Sequence, residues 1–150
     1  MPIAGPAIKS GLQSGFASGA TTFAAAAMSW ANAISSGTAS IVPPSTTVSA
    51  AATALQGQLA TAFASNSSPP YSIPAMEAAF TAFGAAVGLG MLPLYAAVPP
   101  AGPVGFSSLF SSTYSTHSDA AQAISDAIVT WLQTGTASLV APPNTVVPWS

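Results

Sequence analysis

Apolar side chains recur at helical spacing in three stretches of this chain. Phe23, Ala27, Trp30 and Ile34 fall at i, i+4, i+7 and i+11, and Met76, Phe80, Phe83 and Val87 repeat those steps. Ala121, Ile124, Ile128 and Trp131, with Leu132 beside it, form a similar stripe. Spacing of this kind places one apolar face on each of three long helices. Shorter apolar patterns around them extend the reading to helices near 6–18, 20–35, 51–65, 73–90, 105–115 and 118–134. Ser72 is the predicted cap of the fourth helix, with Pro74 in its first turn, and Ser118 the predicted cap of the sixth. Glu77 and Asp119 lie near the positive ends of those helices. Gly37 and Gly135 suit left-handed stops. Extended, Pro-rich segments should follow the second, fourth and sixth helices. The predicted fold is therefore mainly α, with helix-hairpin units in two or three copies and extended Pro-rich tails.

The copies show in the sequence itself. Gly37-Thr38-Ala39-Ser40-Ile41-Val42 returns as Gly135-Thr136-Ala137-Ser138-Leu139-Val140, an offset of 98. Pro43-Pro44-Ser45-Thr46 returns as Pro142-Pro143-Asn144-Thr145 after one inserted residue. The same offset aligns Leu12 with Phe110, Phe16 with Tyr114, Thr21 with Asp119 and Ile34 with Leu132. One domain over 1–150 is expected, with a repeat over 5–48 and 103–147. Residues 49–102 form a more divergent third copy, in which Leu55, Leu59 and Phe63 echo the first and Val98-Pro99-Pro100 echoes Val42-Pro43-Pro44.

Composition changes the picture of the surface more than that of the core. The only charged residues are Lys9, Glu77, Asp119 and Asp126, 3% of the chain, where about 25% is usual. One Lys and no Arg cannot displace counterions from phosphates, so nucleic acid is excluded as a partner. With no Cys, disulfide frameworks and thiolate metal sites are excluded too. Half of the chain is apolar, but 33 of those residues are Ala, so the core is modest. The remaining surface must be Ser, Thr, Asn, Gln and Gly, with almost no repulsion between copies.

Candidate chemistry is thin. His117, Asp119, Ser115 and Ser118 contain the ingredients of a hydrolase triad, yet helix capping accounts for them equally well, and no nucleophile-elbow motif occurs. The same His and carboxylates make a poor metal site. Gly88-x-Gly90 lacks the rest of a dinucleotide fingerprint. No catalytic residue, metal or cofactor is therefore expected, and the chain is read as non-enzymatic. Ala78 to Val98 is uncharged and contains Gly84-x-x-x-Gly88, a close-packing pattern of bilayer helices. That makes a membrane-embedded or membrane-docking protein the alternative reading, although Pro93 and the missing flanking cations oppose it. Gly11, Gly15 and Gly19 share one helix face, either for close approach of a neighbouring backbone or because this segment is weakly helical. Trp30 and Trp131 lie on apolar stripes and belong to the core.

The short, nearly uncharged chain, rich in Ala, Ser, Gly and Pro, resembles the small structural proteins of tailed-bacteriophage virions. The resemblance is one of composition over the whole chain. It implies a tail, baseplate, neck or capsid-cement component, located in the virion and contacting other structural proteins of the assembly or copies of itself. The Pro-rich tails would be the arms that make those contacts. Their candidate interface residues are Ile41, Val42, Pro43 and Pro44 in the first tail and Pro99 and Pro100 in the second. Leu139, Val140, Pro142 and Pro143 belong to the third, and Trp149 is a terminal anchor on a neighbour.

Overall fold

The computed structural model describes residues 3–65 and 69–150, and side chains outside 65–71. Six helices lie among the described residues: α1 (Gly5–Ser18), α2 (Phe23–Thr38), α3 (Val48–Ser65), α4 (Pro69–Leu89), α5 (Phe106–Ser111) and α6 (His117–Leu132). Three short strands, β1 (Tyr95–Val98), β2 (Thr136–Leu139) and β3 (Val146–Pro148), form one antiparallel sheet in the order β1-β2-β3. The protein is mainly α, as the apolar periodicity predicts.

The helices pack α1 on α2, α2 on α3, α3 on α4 and α1 on α6. A chain of aromatic rings runs through the middle. Phe16 meets Trp30 edge-on at 6.4 Å and Trp30 meets Phe106 at 6.0 Å. Phe106 meets Phe80 at 5.0 Å, and Phe80 meets Trp131 at 6.0 Å. Tilted and edge-on contacts at these distances favour the ring quadrupoles as well as burying area. Trp30 and Trp131 are buried, as expected of core residues.

Local chemistry sets several boundaries differently from the expectation. Thr22 caps α2 by accepting the Ala25 N–H, and Thr116 caps α6 by accepting the Asp119 N–H, so Ser118 lies inside the helix. Ser72 and Pro74 also lie within α4, which starts at Pro69. Gly37 is not a left-handed stop. It is a buried residue of α2, where a Cβ would collide with Ile8 of α1. Gly135 is likewise buried without positive φ, and a Cβ there would stand 2.6 Å from the Trp149 ring. Gly11 and Gly15 do serve close approach: their missing Cβ atoms let α1 settle against Ala33 and Ser29 of α2.

The aligned Gly-Thr-Ala-Ser segments do not share a structure. Gly37 and Thr38 end α2, whereas Thr136–Leu139 is strand β2. The two helices instead correspond at an offset of 94, from cap Thr22 to cap Thr116. At that offset Ala27, Trp30, Ala31, Ile34, Gly37 and Thr38 match Ala121, Ile124, Ser125, Ile128, Trp131 and Leu132, all buried. Leu12 and Phe110, paired by the 98 offset, differ: the first is buried and the second is exposed.

Within α4, Ser72–Leu89 is long and apolar enough to cross a membrane by length and composition. Its Gly-x-x-x-Gly pair is used inside the molecule. A Cβ at Gly84 would meet the Trp131 ring and Pro100, and one at Gly88 would meet Ala97 and the Trp149 ring.

Candidate functional site

The tails expected to leave the molecule fold onto it, and their placement defines its surface. The first, after α2, is held at both ends. Val42 and Ser150 exchange backbone hydrogen bonds at 2.8 and 3.1 Å. Further along, Ser45 Oγ donates to the Val87 carbonyl and Thr47 Oγ1 to the Ala86 carbonyl, both at 2.6 Å. The Thr46 N–H donates to the Gly90 carbonyl at 3.0 Å. The last carbonyls of a helix lack the usual partners within it; here Ser45 and Thr47 supply hydroxyls to two of them, and Thr46 holds Gly90 just past the helix end. Ile41 and Pro43 are buried in this arrangement, while Val42 and Pro44 stay exposed.

The second and third tails pair with each other instead of extending as arms. The Pro-Pro steps fall outside the paired residues. β1 ends at Val98, before exposed Pro99 and buried Pro100, and Pro142 and Pro143 sit in the exposed turn between β2 and β3. The register sets Tyr95 opposite Leu139, Ala97 opposite Ala137 and Ala137 opposite Val147. Residues opposite one another in an antiparallel pair share a face, and this face turns inward with Ala137 fully buried.

Trp149 is not an anchor on a neighbour. It is fully buried in its own chain, its ring against Gly135 and Gly88. The Trp149 N–H donates to the Gly135 carbonyl at 2.9 Å. Its indole Nε1 has no hydrogen-bond partner among the described residues, although it is buried.

The other face of the sheet is open. It carries Ala96 opposite Ser138, Val98 opposite Thr136, Ser138 opposite Val146 and Thr136 opposite Pro148. The Val140 N–H donates to the Leu94 carbonyl, which adds that pair to the same face. Leu94, Val98, Val140 and Val146 are 66%, 62%, 57% and 61% exposed. Leu89 and Leu92, in the stretch leading into β1, are exposed as well. Of the residues expected at an interface, Val140 lies on this face and Leu139 on the inner one. The sequence reading missed Leu94, Val98 and Val146. The signal for them was weak, because Tyr95-Ala96-Ala97-Val98 is apolar at both parities and too short for alternation to show.

The candidate chemical groups are dispersed. His117 is the first residue of α6, and its ring lies 6.4 Å from Phe16, edge-on. Asp126 accepts from Gln122 Nε2 at 2.6 Å. Glu77 accepts the N–H groups of Val104, Gly105 and Phe106 at 2.6, 2.9 and 2.8 Å, so it caps α5 from another helix. Gly105 allows this with φ of 98°, a conformation side-chain-bearing residues rarely adopt. Among the described residues no group of three or more His, Asp or Glu is placed to hold a metal ion. An apolar groove of about 390 Å³ opens between Phe16, Phe23, Trp30 and Phe63, lined mainly by apolar side chains.

No protein-family model, no curated protein and no solved structure matches this chain.

Proposed function

We propose that this protein is a non-enzymatic structural subunit of a large assembly, joined to its neighbours by apolar and hydroxyl contacts. The observation that carries the reading is the open sheet face: several large aliphatic side chains more than half exposed, with no charged residue among them. Soluble monomers rarely leave such a continuous apolar patch uncovered. The non-enzymatic part is supported by the dispersal of the candidate groups: Glu77 is engaged in capping α5, Asp126 accepts from Gln122, and no group of three or more His, Asp or Glu comes together among the described residues. The compositional resemblance to tailed-phage structural proteins makes a tail, baseplate or neck component of a virion the specific form of the proposal. A membrane-embedded form is less well supported, since insertion of α4 would separate it from Trp131, Trp149 and the α5 segment capped by Glu77.

Gradient sedimentation of native source material, followed by mass-spectrometric detection of this chain, tests the proposal. The expected result is migration with a large protein particle. Recovery only as a small soluble species, or flotation with lipid, would refute it.

A further inference from the structure

We propose that the outer face of the sheet is where a second copy of this chain docks, sheet against sheet. The inference deepens the structural-subunit reading and rests on it.

The edges of the sheet are poorly suited to carry the contact. β1 lies between Pro93 and Pro99-Pro100. On the β3 side, Ser150 is already paired with Val42. Continuing that antiparallel register would set Pro44 opposite Pro148, and neither has an N–H to donate. Prolines bounding β1 and within β3 leave room for no more than a few ladder hydrogen bonds at either edge, which disfavours strand addition. The face is what remains.

Its size suits a partner of protein dimensions. Leu94, Val98, Val140 and Val146 each offer roughly 100 Å² of apolar surface at these exposures. With the smaller residues between them, the face supplies more than half of the about 800 Å² per partner of a standard interface, enough for a dimer that forms in the micromolar range.

Its chemistry selects the occupant. A charged partner would meet no countercharge, since all four charged residues lie on helices α1, α4 and α6. A lipid surface is normally met by cations and aromatic anchors around an apolar patch. This face has neither, and Tyr95 is on the inner side. A second copy presents the same neutral face. Ala96, Ser138 and Val146 share the central row, with Leu94 and Val140 at one end of the face and Val98, Thr136 and Pro148 at the other. A two-fold axis running across the strands at that row lays the Leu94–Val140 end of one copy on the Val98–Pro148 end of the other and sets Val146 against its own counterpart. Aliphatic side chains then meet aliphatic side chains, the match of one patch with itself that an isologous dimer needs, at the spacing of about 10 Å usual for stacked sheets.

Sedimentation equilibrium of the full chain across the micromolar range tests this, with Val98→Lys and Val146→Lys made singly. Met28→Lys, which adds the same charge on exposed α2 surface, is the control. The wild type and Met28→Lys should dimerise alike, and each face variant should raise the dissociation constant by about 30-fold or more. Far-UV circular dichroism identifies any variant that fails to fold, and the other face variant then decides. A wild type that stays monomeric throughout overturns the proposal, and so do face variants that dimerise as the wild type does. Monomeric wild type that binds neutral phosphatidylcholine vesicles, with binding lost in the face variants, overturns it in favour of lipid. None of these outcomes decides the broader reading: a chain monomeric alone can still travel with a large particle, and a dimer can form in a chain that joins none.

Discussion

Glu77 holds three backbone N–H groups with its two carboxylate oxygens, and no side chain at those positions could do the same for α5. Hydrogen bonds to a charged group contribute about 1.5–3 kcal/mol each when fully formed. Glu77 is only half-buried, so water offsets part of that. We expect Glu77→Ala to cost about 1–3 kcal/mol in urea unfolding and to speed amide exchange at Val104, Gly105 and Phe106 selectively. Uniform exchange across the chain would deny the clamp. Trp149 presents the opposite case, a polar atom buried without a partner among the described residues. Removing the ring should cost about 3–5 kcal/mol, as for other large buried aromatics. Replacing it by Phe loses volume but no hydrogen bond, so Trp149→Phe should cost less than about 1.5 kcal/mol. Trp131→Phe should cost more than Trp149→Phe, because the Trp131 indole N–H donates to the Gly102 carbonyl at 2.9 Å. Equal costs for the two Phe variants would mean that Trp149 Nε1 has a partner in solution.

Helix packing turns on which glycines are crowded. A Cβ at Gly37 would enter Ile8, while at Gly57, exposed within α3, it would meet nothing within 4 Å. Gly37→Ala should therefore destabilise by about 1–3 kcal/mol through overpacking. Gly57→Ala should stabilise by about 0.5–1 kcal/mol through helix propensity, and a pair of thermal melts separates the two signs. The sequence revealed the α1–α2 contact only in part: the four-residue spacing of Gly11 and Gly15 marked a shared face, but Gly37 looked like a helix stop. The long helices were legible because their apolar stripes persist over three or more turns. The correspondence of α2 with α6 was misplaced by four residues for a related reason. Offsets of 94 and 98 differ by four residues, close to the 3.6 of one turn, so a slip of that size leaves the apolar stripe almost in place. The Gly-Thr-Ala-Ser match then fixed an offset that the caps and buried faces of the two helices do not share. The sheet was hidden because its strands pair over no more than four residues each. Pro-Pro steps beside short apolar runs read as arms, and only the register shows that the paired residues stop short of those Pro-Pro steps. The open face could not be read from sequence, since it depends on that register.

At the scale of the whole molecule, the two ends of the sheet system are tied to the helices by the last few residues. Trp149 fills space between Gly135 and Gly88, and Ser150 pairs with Val42. Deleting residues 146–150 should therefore abolish cooperative thermal unfolding of the isolated protein. A truncated chain that keeps its melting temperature would restore the terminal segment as a free arm. The distribution of charge leads to a further expectation about self-association. Salt acts on exposed charges through screening, with a Debye length of about 10 Å at 0.1 M, and the proposed dimer face carries no charge to screen. Apolar burial responds differently: excluded salts such as sulfate strengthen it. The dissociation constant from sedimentation equilibrium should thus change by less than about twofold between low and physiological NaCl, where Coulomb contributions would be lost. It should then tighten in sulfate at matched ionic strength. Weakening by tenfold or more in moderate NaCl would mean that Lys9 or one of the three carboxylates lies in the contact, and the sheet face would no longer explain it.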